Sequence, residues 1–218
     1  MASSDIPHTP MTPDGFAGAL ATDVSRETLA SGTMERLAVY ADTLCAWQPR
    51  INLVSNRSLE DLWRRHMLDS AQLARFIERN HRVLDLGSGA GFPGLVLSII
   101  SGAEVVLAES DARKCAFLRE VRRLTDAPAE IVEGRIEALS EDNIYDVVTA
   151  RALAPVNELL EYGAPRMKSQ GFCLFLKGAR AEAELTDAND IWNMNVNRHP
   201  SLSDPEGVVL QIGNLQRV

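Results

Sequence analysis

The twelve residues VLDLGSGAGFPG, Val83 to Gly94, constrain the fold more than any other part of the 218-residue chain. A short apolar run ends at Leu86, and Gly87, Gly89, Gly91 and Gly94 follow, the composition of a strand that turns sharply into a helix. Such a turn brings backbone close to a ligand and aims the free N–H groups of a helix start at it. Two fingerprints overlap here. From Gly87 the stretch reads G-x-G-x-G, the pattern of proteins that use S-adenosyl-L-methionine; from Gly89, GAGFPG reads G-x-G-x-x-G, the dinucleotide-binding pattern. Either implies a parallel sheet covered by helices, with Pro93 tolerated where the next helix opens.

The rest of the chain agrees with that sheet. After residue 80, RVLDL, EVVLAE, AEIVEG, YDVVTA and GFCLFLK alternate with helical stretches, whereas MNVNRH and GVVLQI are separated only by PSLSDPEG. We therefore expect an α/β fold: five parallel strands and a terminal antiparallel hairpin in a doubly wound three-layer sandwich. Upstream, residues 1–13 hold three prolines and read as a flexible tail. Apolar periodicity predicts helices over Ser25–Trp47 and Leu59–Ile77, the second capped by Ser58 with Asp61 in its first turn. The expected organisation is thus a tail (1–13), an N-terminal helical subdomain (14–80) and a cofactor-binding domain (81–218).

The formal charge of −8 argues against a surface that grips nucleic acid as a whole. Cys45, Cys115 and Cys173 have neither disulfide-framework nor zinc-site spacing, which suits the cytoplasm, and no metal site is expected. The longest apolar run, Leu95 to Ile100, is far below the roughly 20 residues that span a bilayer, and no export signal is visible.

Glu109 closes the second strand about 20 residues after the loop, where a carboxylate can accept hydrogen bonds from both hydroxyls of an adenosine ribose. That suits either cofactor. Asp85 tips the balance towards methyl transfer: a carboxylate at the loop favours a cationic ammonium or sulfonium and repels a pyrophosphate. Too little chain follows the hairpin for a dehydrogenase's substrate domain. Strand ends form the ligand rim of such a sheet, and Arg135, Arg151 and Lys177 fall there, pointing to an anionic substrate. Each alone could equally be a solvated surface group.

With these features in place, the chain resembles the bacterial glucose-inhibited division protein B (GidB) family, methyltransferases acting on guanine N7 in small-subunit ribosomal RNA. INLVS (51–55), RRHMLDS (64–70), the glycine loop, RKCAFLREV (113–121), GRIEAL (134–139) and TARALAP leading to FLKG carry the resemblance. It implies a Rossmann-like class I methyltransferase sheet and a target guanine at position 527 in the 530 loop of 16S RNA. By the same resemblance Gly87, Ser88, Gly89, Gly91 and Phe92 contact S-adenosyl-L-methionine, with Asp85 beside them and Glu109 on the ribose. Ile136 and Glu137 line the adenine, and Arg151 stands on the cofactor side. Asn52 and His66, with Arg135 and Lys177, border the catalytic pocket. His66, Asp69 and Ser70 share a helical face and read equally as a buried polar cluster joining helices to sheet. The partner implied is 16S ribosomal RNA or the small ribosomal subunit, met by a monomer without membrane or DNA partners.

Guanine N7 offers an unprotonated lone pair, so no general base is required. Cytosine C5 methylation would want an activated cysteine, and amine methylation a [D/N]-P-P-[Y/F] loop where this chain has ARALAP. A methyltransferase for a small acidic molecule or a protein, and a nucleotide-binding domain without catalysis, stay open as alternatives.

Overall fold

The computed structural model describes residues 9–23, 32–142 and 144–218. Its N-terminal part is helical: α1 (Pro13–Asp23), α2 (Thr33–Trp47), α3 (Asn56–Leu59), a π-helical turn over Trp63–Leu68 running into α4 (Asp69–Ala71), and a 3-10 turn to Phe76. The sheet comprises β1 (Arg82–Leu86), β2 (Glu104–Glu109), β3 (Ala129–Glu133), β4 (Tyr145–Arg151), β5 (Met167–Lys177), β6 (Trp192–Pro200) and β7 (Val208–Arg217), in the order β3-β2-β1-β4-β5-β7-β6. The first five strands are parallel, and β7 runs antiparallel to both β5 and β6. Between strands lie α5 (Gly94–Ser101), α6 (Ala112–Thr125), α7 (Val156–Gly163) and α8 (Ala181–Asn189). The expected doubly wound sheet and closing hairpin are both present.

Strand periodicity decides which helix covers which face. Val83, Val105, Leu107, Val147 and Leu174 point into one core with Tyr40, Leu44, Leu95 and Phe117, so α2, α5 and α6 lie on that side. Leu84, Leu86, Val106, Ala108, Val148 and Ala150 point into the other, against Leu159, Leu160 and Leu185 of α7 and α8. The order in which strands are added reverses at β1, which lies between β2 and β4, and the ligand crevice of such a sheet opens outside those strand ends.

Three N-terminal expectations change. Residues 9–13 are tied down where a flexible tail was expected: the Met11 N–H donates to Asp61 at 2.7 Å and the Thr9 carbonyl accepts from Arg64 at 3.2 Å. Residues 1–8 of that tail lie outside the described residues. The helix expected from Ser25 begins at Thr33, residues 25–31 also lying outside, and α1 was not expected at all. The second helix is capped by Ser55, whose hydroxyl accepts the Ser58 N–H at 3.2 Å, one turn before the expected Ser58 cap. A π-helical turn then inserts where a regular helix was read, a feature that side-chain periodicity does not encode.

Candidate active site

Gly87, Gly89 and Gly91 have φ of 62°, 57° and 92°, the left-handed region where a Cβ is strained. At Gly87 a Cβ would also lie 2.7 Å from Leu153 Cδ1, because the chain after β4 folds over the loop. Glu109 locks the loop from the β2 side: Oε2 accepts the Gly89 N–H and Oε1 the Asp111 N–H, each at 2.8 Å. The carboxylate is only 7% exposed, yet it lines a cavity of about 440 Å³ at the strand ends. Gly87, Ser88, Gly89 and Phe92 floor this cavity; Arg135, Ile136, Glu137 and Arg151 stand around it. Gly91 and Asp85 are not among its walls.

Asp85 departs from its expected placement. It lies fully buried beneath the loop, where its Oδ1 accepts the Thr149 hydroxyl at 2.7 Å and its Oδ2 has no hydrogen-bond partner among the described residues. Burial raises its pKa to about 6 against the pull of its hydrogen bonds. Its charge can reach a ligand only through the loop.

The wall formed by Ile136 to Ala138 is a single 3-10 turn held by a residue the sequence reading missed. Arg166, 2% exposed, donates to the carbonyls of Ile136 (3.0 Å), Leu139 (2.9 Å) and Tyr162 (2.7 Å). Its sequence neighbours carry no signal of this, since the bonds to the turn span 30 and 27 residues. Arg166→Met should remove a donor from three carbonyls, leaving Ile136 only the Leu139 N–H, and lower stability by about 1–3 kcal/mol. Chemical denaturation checks this; an unchanged midpoint would remove Arg166 from the account.

Arg151, at the end of β4, is the hub between sheet and helices. Its guanidinium donates to His66 Nδ1 (2.7 Å), Asp69 Oδ2 (3.2 Å) and the Arg65 carbonyl (3.1 Å), and lies over the Phe92 ring at 4.9 Å. His66 stacks on the same ring at 4.9 Å. A guanidinium only donates, so His66 Nδ1 must accept, which places the proton of the neutral ring on Nε2. Burial, then Arg151 and Arg65, lower the His66 pKa to about 3. His66 therefore offers no free basic nitrogen. Ser70, its neighbour one turn on, is fully buried.

A second cavity of about 740 Å³ meets the first along Arg151, Ala152, Leu153 and Ala154, which line both. Ala152 has φ 52°, so this strip is held in a conformation that an L-residue rarely adopts. Lys177 lines the second cavity but is not the free rim cation expected: its ammonium binds Glu184 at 2.7 Å and the Ala154 carbonyl at 2.6 Å. Arg151 is likewise paired with Asp69. Of the three rim cations, Arg135 alone makes no ion pair among the described residues. Asn52 also falls elsewhere, exposed and 3.5 Å from Gln48 Nε2, while the following Leu53 and Val54 line the first cavity. Among the described residues no group of three His, Cys, Asp or Glu side chains could hold a metal ion.

The sequence profile described as "GidB: rRNA small subunit methyltransferase G" matches residues 33–206, from α2 to the β6–β7 turn. The chain belongs to the GidB family. A relative from Gluconobacter oxydans, named Ribosomal RNA small subunit methyltransferase G, is 50% identical over 197 residues, covering 90% of this chain and 99% of the relative. One of the same name from Paramagnetospirillum magneticum is 53% identical over 195 residues, covering 89% and 92%. Among solved structures, a TehB-like SAM-dependent methyltransferase from Corynebacterium glutamicum superimposes with TM-score 0.56 at 17% identity over 79% of this chain and 98% of its own. The tRNA (m1A58) methyltransferase TrmI from Aquifex aeolicus gives 0.53 at 17% identity, over 69% of each. At such identities the likeness is one of fold, and it places this GidB chain on the Rossmann-like methyltransferase sheet. The GidB match takes in the first cavity, all of the second but Gly207, and the Arg151 hub.

Proposed function

We propose that the protein transfers the methyl group of S-adenosyl-L-methionine to N7 of a guanine in 16S ribosomal RNA, the target lying in the 530 loop. The observation that carries this reading is the meeting of two cavities over Arg151–Ala154 in a chain of the GidB family, one walled by the glycine loop and Glu109, the other open beside it.

The first cavity fits the cofactor. Its volume lies within the range of small-molecule sites, roughly 300–1,000 Å³. Each Glu109 oxygen accepts one backbone N–H and keeps a lone pair for a ribose hydroxyl. Ile136 and Glu137 would flank the adenine, and the backbone of Gly87 to Gly89 the methionine part. When bound, the cofactor supplies an electrophilic methyl group on a cationic sulfur.

The chain's part is alignment rather than proton transfer. N7 carries a lone pair without a proton, and the one histidine at the junction has its acceptor nitrogen occupied by Arg151. Arg151 and Lys177 each hold one end of the 151–154 strip, Lys177 through the Ala154 carbonyl, so the wall between the cavities is fixed. Holding two reactants in line can contribute up to about 7–11 kcal/mol. Pairing of Arg151 and Lys177 with carboxylates also weakens the alternative of a small acidic substrate, which would want those cations free. A ribosomal RNA substrate suits a protein of the cytoplasm.

Methyl-labelled S-adenosyl-L-methionine incubated with small-subunit RNA and a metabolite pool should label the RNA. Label confined to metabolites or protein, or tight NAD binding without binding of S-adenosyl-L-methionine, would overturn the reading.

A further inference from the structure

The second cavity continues, past Ser58, Arg65, Ser203 and Asp204, into a cleft of about 700 Å³ between α3 and the β6–β7 turn. The two walls of this cleft differ in chemistry. One carries Arg57, Arg64 and Arg65. The other is the turn, whose Leu202 is 43% exposed beside Pro205.

The apolar wall is rigid. The Leu202 N–H donates to Gln72 Oε1 at 2.9 Å, and the Ser203 hydroxyl donates to Asp69 Oδ1 at 2.6 Å, the same carboxylate that pairs with Arg151. Leu202 is thus presented to solvent by a turn anchored at its own N–H and at Ser203, an ordering cost met on folding rather than on binding. On the cationic wall, Arg64 pairs with Asp61 and Arg65 with Asp204, each at 2.9 Å. Arg65 stays about half exposed, and Arg57 is exposed and makes no ion pair or hydrogen bond among the described residues. Three arginines against two aspartates leave the cleft with positive charge on a chain whose formal charge is −8.

The geometry points to this cleft as the path of single-stranded RNA leading away from the target base, with phosphates on the Arg57 side and a base or ribose against Leu202. A charged groove with an apolar platform opposite is how proteins hold single strands, whose bases are free to turn to one side. Duplex RNA keeps its bases inside and has nothing to offer Leu202. The inference rests on the proposed RNA methylation and adds where the strand runs.

The test is methyl transfer to 16S RNA and to small ribosomal subunits over a range of salt. Arg57→Ala should raise the KM for RNA several-fold and reduce the slope of log(kcat/KM) against log salt by about 1, as for one lost phosphate contact. Leu202→Ser should raise the same KM with no change of slope. Both variants should keep the wild-type kcat and KM for S-adenosyl-L-methionine, since the cleft does not touch the first cavity, and that constancy also checks their fold. Wild-type KM and slope in both variants would overturn the proposal. So would a defect seen only with assembled subunits at unchanged slope, which would assign the cleft to a ribosomal protein. If the wild-type protein labels no RNA, the methyltransferase reading has failed instead, and that is visible before any variant is made.

Discussion

Replacing Glu109 with alanine is expected to weaken S-adenosyl-L-methionine binding by roughly 100-fold or more, while leaving RNA affinity nearly intact. Two effects add. A buried carboxylate that accepts hydrogen bonds from two ribose hydroxyls contributes about 1.5–3 kcal/mol per bond, and each 1.4 kcal/mol is tenfold in affinity. The same carboxylate accepts the Gly89 and Asp111 N–H groups, so its loss also frees the glycine loop that forms the cavity floor. Glu109→Gln keeps one carbonyl acceptor and should fall between alanine and wild type. Calorimetry with the cofactor and its demethylated product measures the loss; wild-type affinity in Glu109→Ala would remove the ribose assignment. Glu109 lines neither the second cavity nor the cleft beyond it, which is why RNA binding should survive.

Arg151→Met should cost about 3–5 kcal/mol in stability, because it leaves the Asp69 carboxylate without its cation in a largely buried setting. The Arg65 carbonyl loses a donor too, and Phe92 a guanidinium over its ring. The pH dependence gives the substitution a signature. His66, with a folded value of about 3 against an ordinary 6.5, stays neutral where the unfolded chain takes up a proton. Its contribution is therefore full above pH 6.5 and is lost as pH falls towards 3. Removing the Arg151 charge, second to burial among the causes, should raise the His66 value and flatten that acid limb. Asp85 works in the opposite sense between about pH 4 and 6, since its raised value makes the folded chain bind the extra proton. The Arg151 charge also holds the Asp85 value down, so Arg151→Met should raise both groups, and both changes flatten the acid limb relative to wild type. Equal stability and identical acid limbs would show that the hub is not the joint described.

The sheet was legible because its information is local: β1 to β5 are short apolar runs, the hairpin lacks a helix between its strands, and the glycine loop advertises left-handed backbone. Glu109 was legible for the same reason, being set at a fixed distance along one β-α-β unit. What escaped depends on partners far apart in the chain. Arg65 finds Asp204 across 139 residues, Lys177 finds the Ala154 carbonyl, and Arg166 spans to the 136–139 turn. Residue type and strand-end position mark Arg151 and Lys177 as cations at a rim but cannot say that both are already neutralised. Asp85 illustrates the converse, since alternation along β1 could not tell a carboxylate facing a ligand from one buried under the loop with Thr149. The π-helical turn over Trp63–Leu68 brings Arg65 and His66 to Arg151, and no spacing rule for a regular helix would have placed it.

Treating RNA modified by this protein with borohydride and aniline, then mapping breaks by primer extension, locates the methylated base. Methylation at N7 makes the guanine ring cationic and its strand cleavable, so a single new break in the 530 loop of 16S RNA is predicted, absent when S-adenosyl-L-methionine is withheld. Uncleaved RNA whose digest carries the methyl on an exocyclic amine or on C5 would contradict the account.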